Sequence, residues 1–218
     1  GHKVIHFKQA FHGRTGYTMS ITNTDPVKVA LYPKFDWPRI TNPKVTFPLN
    51  ENNLDEVVKL EKQAIAEIYK AIADNKDDIA CIILEPIQGE GGDNHFRVEF
   101  FRELRKICDE NEILLIFDEV QTGVGMTGKW WAHQHYVQPD IISFGKKSQV
   151  CGILATDRVD EIPENVFHTS SRINSTWGGN IVDMIRFKKY LEIITDNLHT
   201  SAAQNLANEI FKLAVGVA

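Results

Sequence analysis

Short continuous runs of apolar residues recur along the chain, each bounded by charged residues, glycine or proline. Runs at residues 78–84 and 113–117, and a third at Ile141–Phe144, are typical of strands buried on both faces of a parallel sheet. Residues Lys3–Phe7 alternate weakly and are predicted as another strand, and residues 150–156 as a further one. The chain therefore contains at least three strands that suit the interior of a sheet.

Amphipathic segments lie between these runs. Residues 54–73 place apolar side chains at helical spacing with charges between them, which predicts a long helix. Four prolines in residues 30–50 forbid a long helix there, so this segment is predicted to be extended and irregular. Other helices are predicted at residues 100–111, 130–135, 180–194 and 202–215. The alternation of strands and helices predicts an α/β fold with a parallel sheet and right-handed crossovers.

Polar residues follow the apolar runs directly: Glu85 the first, Asp118 and Glu119 the second, and Lys146 the third, after a glycine. Ligands of open α/β sheets bind at the carboxyl ends of the strands, where these residues are expected to lie. A lysine amine there can form an imine, and a carboxylate can pair with a protonated ring nitrogen. Taken alone, however, most lysines at strand ends face solvent. Asp118 could equally cap the next helix, and Glu119 could form a buried ion pair.

Three separated motifs carry a family resemblance. IFDEVQTG at residues 116–123, PDI at 139–141 and FGK at 144–146 resemble, in order and spacing, the signature of class III aminotransferases. The resemblance implies a fold type I transferase that depends on pyridoxal 5'-phosphate (PLP), with a mostly parallel sheet flanked by helices. Lys146, rather than Lys147, would carry the cofactor as a Schiff base, because the family places the reactive lysine directly after a small residue. Asp118 would pair with the ring nitrogen of the cofactor.

The same resemblance assigns roles to other residues near the motifs. Phe11 and His12 match a cofactor-binding segment whose aromatic ring stacks on the cofactor, and Arg14 matches an arginine that binds a substrate carboxylate. Val120 would press on the opposite face of the ring, and Gln121 would bond the phenolic oxygen. Plain packing remains an alternative for Phe11, Val120 and Gln121. For Arg14 the alternative is a surface ion pair.

Two further segments of the chain resemble family features. The segment EPIQGEGG supplies Glu85, beside the cofactor, and Glu90, which in the ω-aminotransferase branch pairs with an arginine and releases it when the oxo acid arrives. No match to that arginine lies within the sequence. The loop NSTWGG places Thr176 where it would cross a homodimer interface and bond the phosphate of the neighbouring cofactor. Alternatively, Ser175 or Thr176 caps the helix that follows.

Within the class, Arg14 and residues 144–152 and 171–180 most resemble enzymes that transfer the terminal amino group of L-lysine. The expected acceptor is 2-oxoglutarate, giving a semialdehyde and glutamate. The alternative is an ω-aminotransferase of the type that uses 4-aminobutyrate or ornithine as the amino donor. A decarboxylase or aminomutase on the same scaffold is another alternative, and so is a non-catalytic fragment that only folds or dimerises.

The composition of the chain bears on the compartment and the binding partners of the protein. With 218 residues, 43% of them hydrophobic, and a formal net charge of −5, the chain is expected to be a cytoplasmic protein that binds neither nucleic acid nor membrane. Three cysteines without close spacing favour a reducing compartment. His133 and His135 would face different sides of a helix, so no metal site is expected. Residues 1–218 are interpreted as an incomplete PLP-binding large domain, cut at both ends, without its N-terminal segment and C-terminal small domain.

Overall fold

The computed structural model describes residues 1–198 and residue 205, and its centre is one six-stranded sheet. The strand order is β2-β1-β3-β4-β5-β6; the first five strands run parallel, and β6 pairs antiparallel with β5. The strands are β1 (Lys3–Phe7), β2 (Arg39–Ile40), β3 (Ile79–Leu84), β4 (Leu114–Asp118), β5 (Ile141–Phe144) and β6 (Gly152–Ala155). The predicted α/β class with a mostly parallel sheet is confirmed.

Within the described residues, four α-helices accompany the sheet: α1 (Thr18–Ile21), α2 (Glu51–Asp74), α3 (Val98–Glu110) and α4 (Ile181–Leu198). Helix α2 begins three residues before the predicted start because polar caps extend it. The side chain of Asn50 accepts a hydrogen bond from the N–H of Asn52 (2.9 Å), and that of Asn53 accepts one from the N–H of Asn50 (2.9 Å). The helix predicted at residues 202–215 lies outside the described residues, except for Asn205.

Phenylalanine side chains fill the core between the sheet and α3. The ring centroid of Phe7 in β1 lies 5.8 Å from that of Phe100, and the ring centroid of Phe117 in β4 lies 5.3 Å from that of Phe101. All four side chains are fully buried. Because large aromatic side chains bury more apolar area than any others, this cluster fixes α3 against the strands whose ends carry polar residues.

The structure adds detail to three local predictions. The strand predicted at residues 150–156 is present as β6, and it runs antiparallel to β5 because only seven residues separate the two strands, whereas a parallel crossover needs about a dozen. The proline-rich segment, predicted to be extended and irregular, contains the short strand β2 (Arg39–Ile40). The sequence pattern did not predict this strand. The segment predicted as a helix at residues 130–135 forms a 3₁₀ turn at Ala132–His135.

Asp140 ties the start of β5 to its neighbours at the amino-terminal edge of the sheet. Its Oδ2 atom accepts hydrogen bonds from the N–H of Leu115 (2.7 Å) and from the guanidinium groups of Arg105 (3.0 Å) and Arg158 (3.3 Å). The residue is only 5% exposed. The carboxylate therefore balances the charge of two guanidinium groups and accepts a hydrogen bond from a strand N–H at a position that little water reaches.

We expect the substitution Asp140→Ala to lower the free energy of unfolding by about 3 kcal/mol, because it leaves Arg105 largely buried without its inner partner. Urea unfolding of the protein measures this change. The control is Asp109→Ala, which removes a carboxylate that contacts the same two arginines but whose side chain is 57% exposed. That change should cost no more than about 1 kcal/mol. Equal effects of the two substitutions would contradict this account of Asp140.

Candidate active site

The carboxyl ends of the central parallel strands bring the predicted site residues to one edge of the sheet. Strand β1 leads to Phe11 and His12, β3 to Glu85, β4 ends at Asp118, and β5 leads to Lys146. In the register of β4 and β5, Asp118 lies opposite Ser143. The acid and the lysine therefore follow adjacent strands at the same edge.

Asp118 is held by three donors from three different segments. Its Oδ2 atom is 2.8 Å from Nδ1 of His12, and its Oδ1 atom accepts hydrogen bonds from the N–H of Val120 (3.2 Å) and the hydroxyl of Ser143 (3.0 Å). No helix begins directly after Asp118 in the described residues, so the alternative that this residue caps the next helix is not supported. Sequence reasoning missed Ser143, which is recognisable only once the register of the two strands is known.

These contacts keep the carboxylate ionised. Burial alone would raise the pKa of Asp118, but the hydrogen bond and charge of His12, with the donors at Val120 and Ser143, bring the pKa below its ordinary value. An ionised carboxylate requires that Nδ1 of His12 carry the proton between them. A carboxylate has about four acceptor positions, and described residues occupy three of them, which leaves one on Oδ2.

Two consecutive lysines follow β5, and the structure distinguishes them. The side chain of Lys146 is exposed, whereas the ammonium of Lys147 contacts the carbonyl oxygen of Gln121. Burial lowers the pKa of Lys147, and the charge of Lys146 lowers it further. Lys146 has a φ of 45°, in the left-handed region that non-glycine residues seldom adopt and that is enriched at functional sites. Its backbone carbonyl accepts the N–H of Gln149 (3.0 Å), which stabilises this turn.

Val120 and Gln121 line the same edge of the sheet. A methyl group placed on Gly145 would lie 3.7 Å from Cγ1 of Val120, so the valine side chain is in contact range of the residue before Lys146. A methyl group on Gly89 would lie 3.2 Å from Cγ of Gln121, closer than most such contacts. The loops after β3, β4 and β5 therefore pack together beside Lys146.

Glu85 connects the loops after β1 and β3. Its Oε1 atom accepts a hydrogen bond from the N–H of Phe11 (2.8 Å), and the side chain is almost completely buried. Burial raises the pKa of Glu85 to about 7, although the charge of His12 and the N–H of Phe11 act in the opposite direction. Glu85 thus fixes the backbone of Phe11 and carries a carboxyl group that titrates near neutral pH.

A raised pKa in the folded state means that Glu85 contributes to stability at low pH and that this contribution is lost as the pH rises. The loss should run from the ordinary value of 4.5 to the folded value of about 7 and total on the order of 3 kcal/mol. In Glu85→Gln this part of the pH dependence should disappear. Urea unfolding of both proteins from pH 4.5 to 8 measures the difference, and parallel curves would contradict the assignment.

Phe11 and Glu90 meet a third residue, Lys28, which sequence reasoning did not single out. The ammonium of Lys28 contacts a carboxylate oxygen of Glu90 and lies 5.8 Å from the centroid of the Phe11 ring. No motif marks Lys28, since it lies in an irregular loop between β1 and β2. It nevertheless adds a positive charge beside the predicted cofactor-stacking ring.

Two predicted residues make no ion pair or side-chain hydrogen bond with the described part of this cluster. Arg14 is exposed, and within the described part of the chain its guanidinium makes no ion pair. Thr176 lies in an exposed loop at residues 174–179 and has no side-chain hydrogen bond to a described residue. The predicted roles of both residues, toward a substrate and a partner subunit, stay predictions.

Other polar residues near the site have structural partners. The Glu119 carboxylate lies 3.1 Å from Nδ1 of His133 and accepts hydrogen bonds from the N–H groups of Ala132 and His133. Across residues 1–198, no three His, Cys, Asp or Glu side chains are grouped so that they could hold a metal ion. None of the helices described is both long and apolar enough to cross a membrane.

The chain is similar to known proteins over nearly its whole length. The model of class-III aminotransferases matches residues 1–213, and the chain belongs to the class III aminotransferase family. Within it, the L-lysine-epsilon aminotransferase of Mycobacterium bovis is 53% identical over 207 residues, which are 94% of this chain and 45% of that protein. The 4-aminobutyrate aminotransferase of Emericella nidulans is 43% identical over 152 residues, 68% of this chain and 30% of that protein.

A solved structure shares the fold. The lysine aminotransferase of M. tuberculosis, in its internal aldimine form, has a TM-score of 0.85 and 54% identity over 89% of this chain and 44% of that one. The chain thus spans less than half the length of these relatives. The similarity confirms the predicted family and fold.

Family membership implies PLP as the cofactor, and the residues at this edge fit that group. A protonated ring nitrogen needs an anionic acceptor, and Asp118 is ionised, has one free acceptor position on Oδ2 among the described residues, and keeps a side chain that is 11% exposed. An aldehyde needs an amine, and the exposed Lys146 follows the adjacent strand. The carboxylate of Asp118 and the amine of Lys146 therefore have the charge and the functional groups that PLP binding requires.

Proposed function

We propose that the protein containing this chain transfers the terminal amino group of L-lysine to 2-oxoglutarate, with PLP as cofactor, giving a semialdehyde and glutamate. The observation that supports this most strongly is that an ionised Asp118 and an exposed Lys146 lie at the carboxyl ends of two adjacent parallel strands. The choice of lysine as donor rests on the 53% identity to a lysine enzyme, against 43% over a shorter stretch to a 4-aminobutyrate enzyme.

Each residue of the cluster has a role in holding the cofactor. Lys146 would bind its aldehyde carbon and Asp118 its ring nitrogen, while Phe11 and Val120 would pack on the two faces of the ring. Gln121 would donate to the phenolic oxygen. His12 would keep Asp118 ionised through the 2.8 Å contact, and Glu85 would fix the backbone at Phe11.

When bound, PLP supplies an electron sink that stabilises a carbanion at the substrate carbon bearing the transferred nitrogen. The chain supplies the proton carrier. With the substrate bound, Nζ of Lys146 would accept the proton from that substrate carbon. Exposure of the Lys146 side chain supports this role, because the amine is not engaged elsewhere among the described residues.

Arg14 would bind the carboxylate that both substrates present, since a guanidinium group matches a carboxylate in a two-point contact. We expect Arg14→Ala to raise KM for lysine and for 2-oxoglutarate by about tenfold each, the effect of one lost charge-assisted contact. Steady-state kinetics of the whole holoenzyme measure both values. Unchanged KM values for both substrates would count against Arg14 as a substrate ligand.

A homodimer would complete the site. Thr176 would bond the phosphate of the cofactor in the partner subunit. The exposure of residues 174–179 supports this, and Trp177 in this loop is 76% exposed.

The donor is tested by incubating the whole holoenzyme with 2-oxoglutarate and one amine at a time. Glutamate should form rapidly with lysine and at least about tenfold more slowly with ornithine or 4-aminobutyrate, as one methylene or carboxylate misplaced in the site costs about that factor. If glutamate forms faster from 4-aminobutyrate, the assigned amino donor is wrong, but the assignment as a transaminase stands. No glutamate from any amine would favour a non-catalytic protein.

A further inference from the structure

The seven residues that join β5 to β6 hold Lys146 in an uncommon backbone conformation. Lys146 has a φ of 45° and Gln149 a φ of 58°, so two non-glycine residues of one short loop lie in the left-handed region. Conformations of this kind persist only where the surrounding contacts over-determine them. Contacts within the loop must therefore stabilise the conformation of Lys146.

Ser148 lies at the centre of this loop and is completely buried. Its hydroxyl oxygen is 2.6 Å from the carbonyl oxygen of Val150 and 3.1 Å from that of Gly145. Because a hydroxyl has one proton, the shorter distance identifies Val150 as its acceptor, and the N–H of Ser148 donates to Gly145 (3.2 Å). Ser148 thus joins the residue before Lys146 to a residue near the far end of the loop.

The side chain of Gln149 also contacts Lys146, but at the surface of the protein. Its Nε2 atom donates to the backbone carbonyl of Lys146 (3.0 Å), and the side chain of Gln149 is exposed. Water can replace an exposed hydrogen bond of this kind, whereas it does not reach the buried hydroxyl of Ser148. Ser148 is therefore the side chain whose loss would loosen the loop most.

The backbone conformation of Lys146 decides the direction in which its side chain leaves the loop. A return to an ordinary φ of about −60° would rotate the Cα–Cβ bond by roughly 100° about the N–Cα bond. Such a rotation would carry the amine, at the end of a long side chain, away from its present position. Misplacing a reacting group by about 1 Å can cost on the order of a hundredfold in rate.

We propose that Ser148 is a positioning residue, and that its buried hydroxyl holds Lys146 in the backbone conformation from which the amine reaches the cofactor. Ser148 acts through Lys146 and takes no part in the reaction itself. The proposal rests on the proposed function, because it takes Lys146 as the residue that binds PLP. It makes the hydroxyl a determinant of how fast Lys146 attaches the cofactor.

The test follows the attachment of PLP to the whole protein after the cofactor has been removed. PLP is added, samples are reduced with borohydride at timed intervals, and mass spectrometry of the modified peptide gives the fraction attached at Lys146. We expect Ser148→Ala to slow attachment about tenfold, the effect of one lost hydrogen bond on the population of the productive loop conformation.

A second pair of substitutions isolates the hydroxyl. Ser148→Thr keeps the hydroxyl and should attach PLP within about threefold of the original rate. Ser148→Val introduces a side chain of nearly the same shape without the hydroxyl, so it should be as slow as Ser148→Ala. This comparison holds even if the alanine variant folds poorly.

Ser20→Ala is the matched control. Ser20 is another buried serine, in α1, and its hydroxyl oxygen accepts the N–H of Phe35 (2.9 Å). Its removal should leave the rate of attachment unchanged. Hydrogen exchange gives a readout without cofactor, because the N–H of Gln149 donates to Lys146 (3.0 Å) and should exchange faster in Ser148→Ala but not in Ser20→Ala.

Three results would overturn the proposal. In the first, Ser148→Ala attaches PLP within about twofold of the original rate; in the second, the threonine and valine variants are equally slow; in the third, Ser20→Ala slows attachment as much as Ser148→Ala. If the unaltered protein attaches PLP at another lysine, the cofactor assignment and this proposal fail together. If Ser148 controls attachment while lysine gives no glutamate, the donor assignment fails and the role of Ser148 stands.

Discussion

Replacing Lys146 by alanine should lower kcat for transamination by about four orders of magnitude, the largest effect of any substitution considered. The change removes the amine that would hold the cofactor and also the base that would move the substrate proton, so two contributions are lost together. The backbone should tolerate the change, because the side chain of Lys146 is exposed and buries little apolar area. Steady-state kinetics of the whole protein, purified with PLP, measure the loss.

Lys147→Ala is the matched control for this prediction. Lys147 is the adjacent lysine and has the lowered pKa that often marks a reactive amine, but its ammonium contacts the carbonyl oxygen of Gln121. We expect its substitution to lower kcat by less than about tenfold, since it removes a structural contact. A larger loss of kcat with Lys147→Ala than with Lys146→Ala would indicate that Lys147, and not Lys146, carries the cofactor.

Asp118→Asn should lower kcat by about a thousandfold while the fold persists. Asparagine has nearly the same volume, and its side chain can still accept from the N–H of Val120 and from Ser143. It lacks the negative charge that keeps a pyridine nitrogen protonated, so the cofactor would lose most of its capacity to accept electrons.

The control for Asp118 is Asp77→Asn, an equivalent change at an exposed turn before β3. It should leave kcat unchanged. Circular dichroism of both variants should match that of the original protein. If Asp118→Asn retains kcat within tenfold, the ionised carboxylate held by His12 has no part in the chemistry.

The sequence predicts the sheet well because its central strands are continuous apolar runs. Apart from Asp78, residues 78–84 and 113–117 are apolar, so they suit strands covered on both sides, and the polar residues that follow them fall at one edge. The predicted closeness of the segments carrying His12, Glu85 and Asp118 is visible in their contacts. This part of the site follows from topology, since the carboxyl ends of parallel strands meet at one edge of a sheet.

Other features depend on information that periodicity does not contain. The direction of β6 follows from loop length, and the contact of Ser143 with Asp118 follows from strand register. Lys28 reaches Phe11 and Glu90 through a loop fixed by side-chain hydrogen bonds of Asn23 and Asp25, which no simple pattern encodes. Side chains placed by such loops are found only when the three-dimensional contacts are known.

The identity of the cofactor-bearing residue is the central claim, and one measurement addresses it directly. The whole protein purified with PLP is reduced with borohydride, its intact mass is recorded, and the modified peptide is sequenced by mass spectrometry. We predict a mass increase equal to one reduced cofactor per chain, located on Lys146. No increase in mass, or a modification located on Lys147 or any other lysine, would contradict the account.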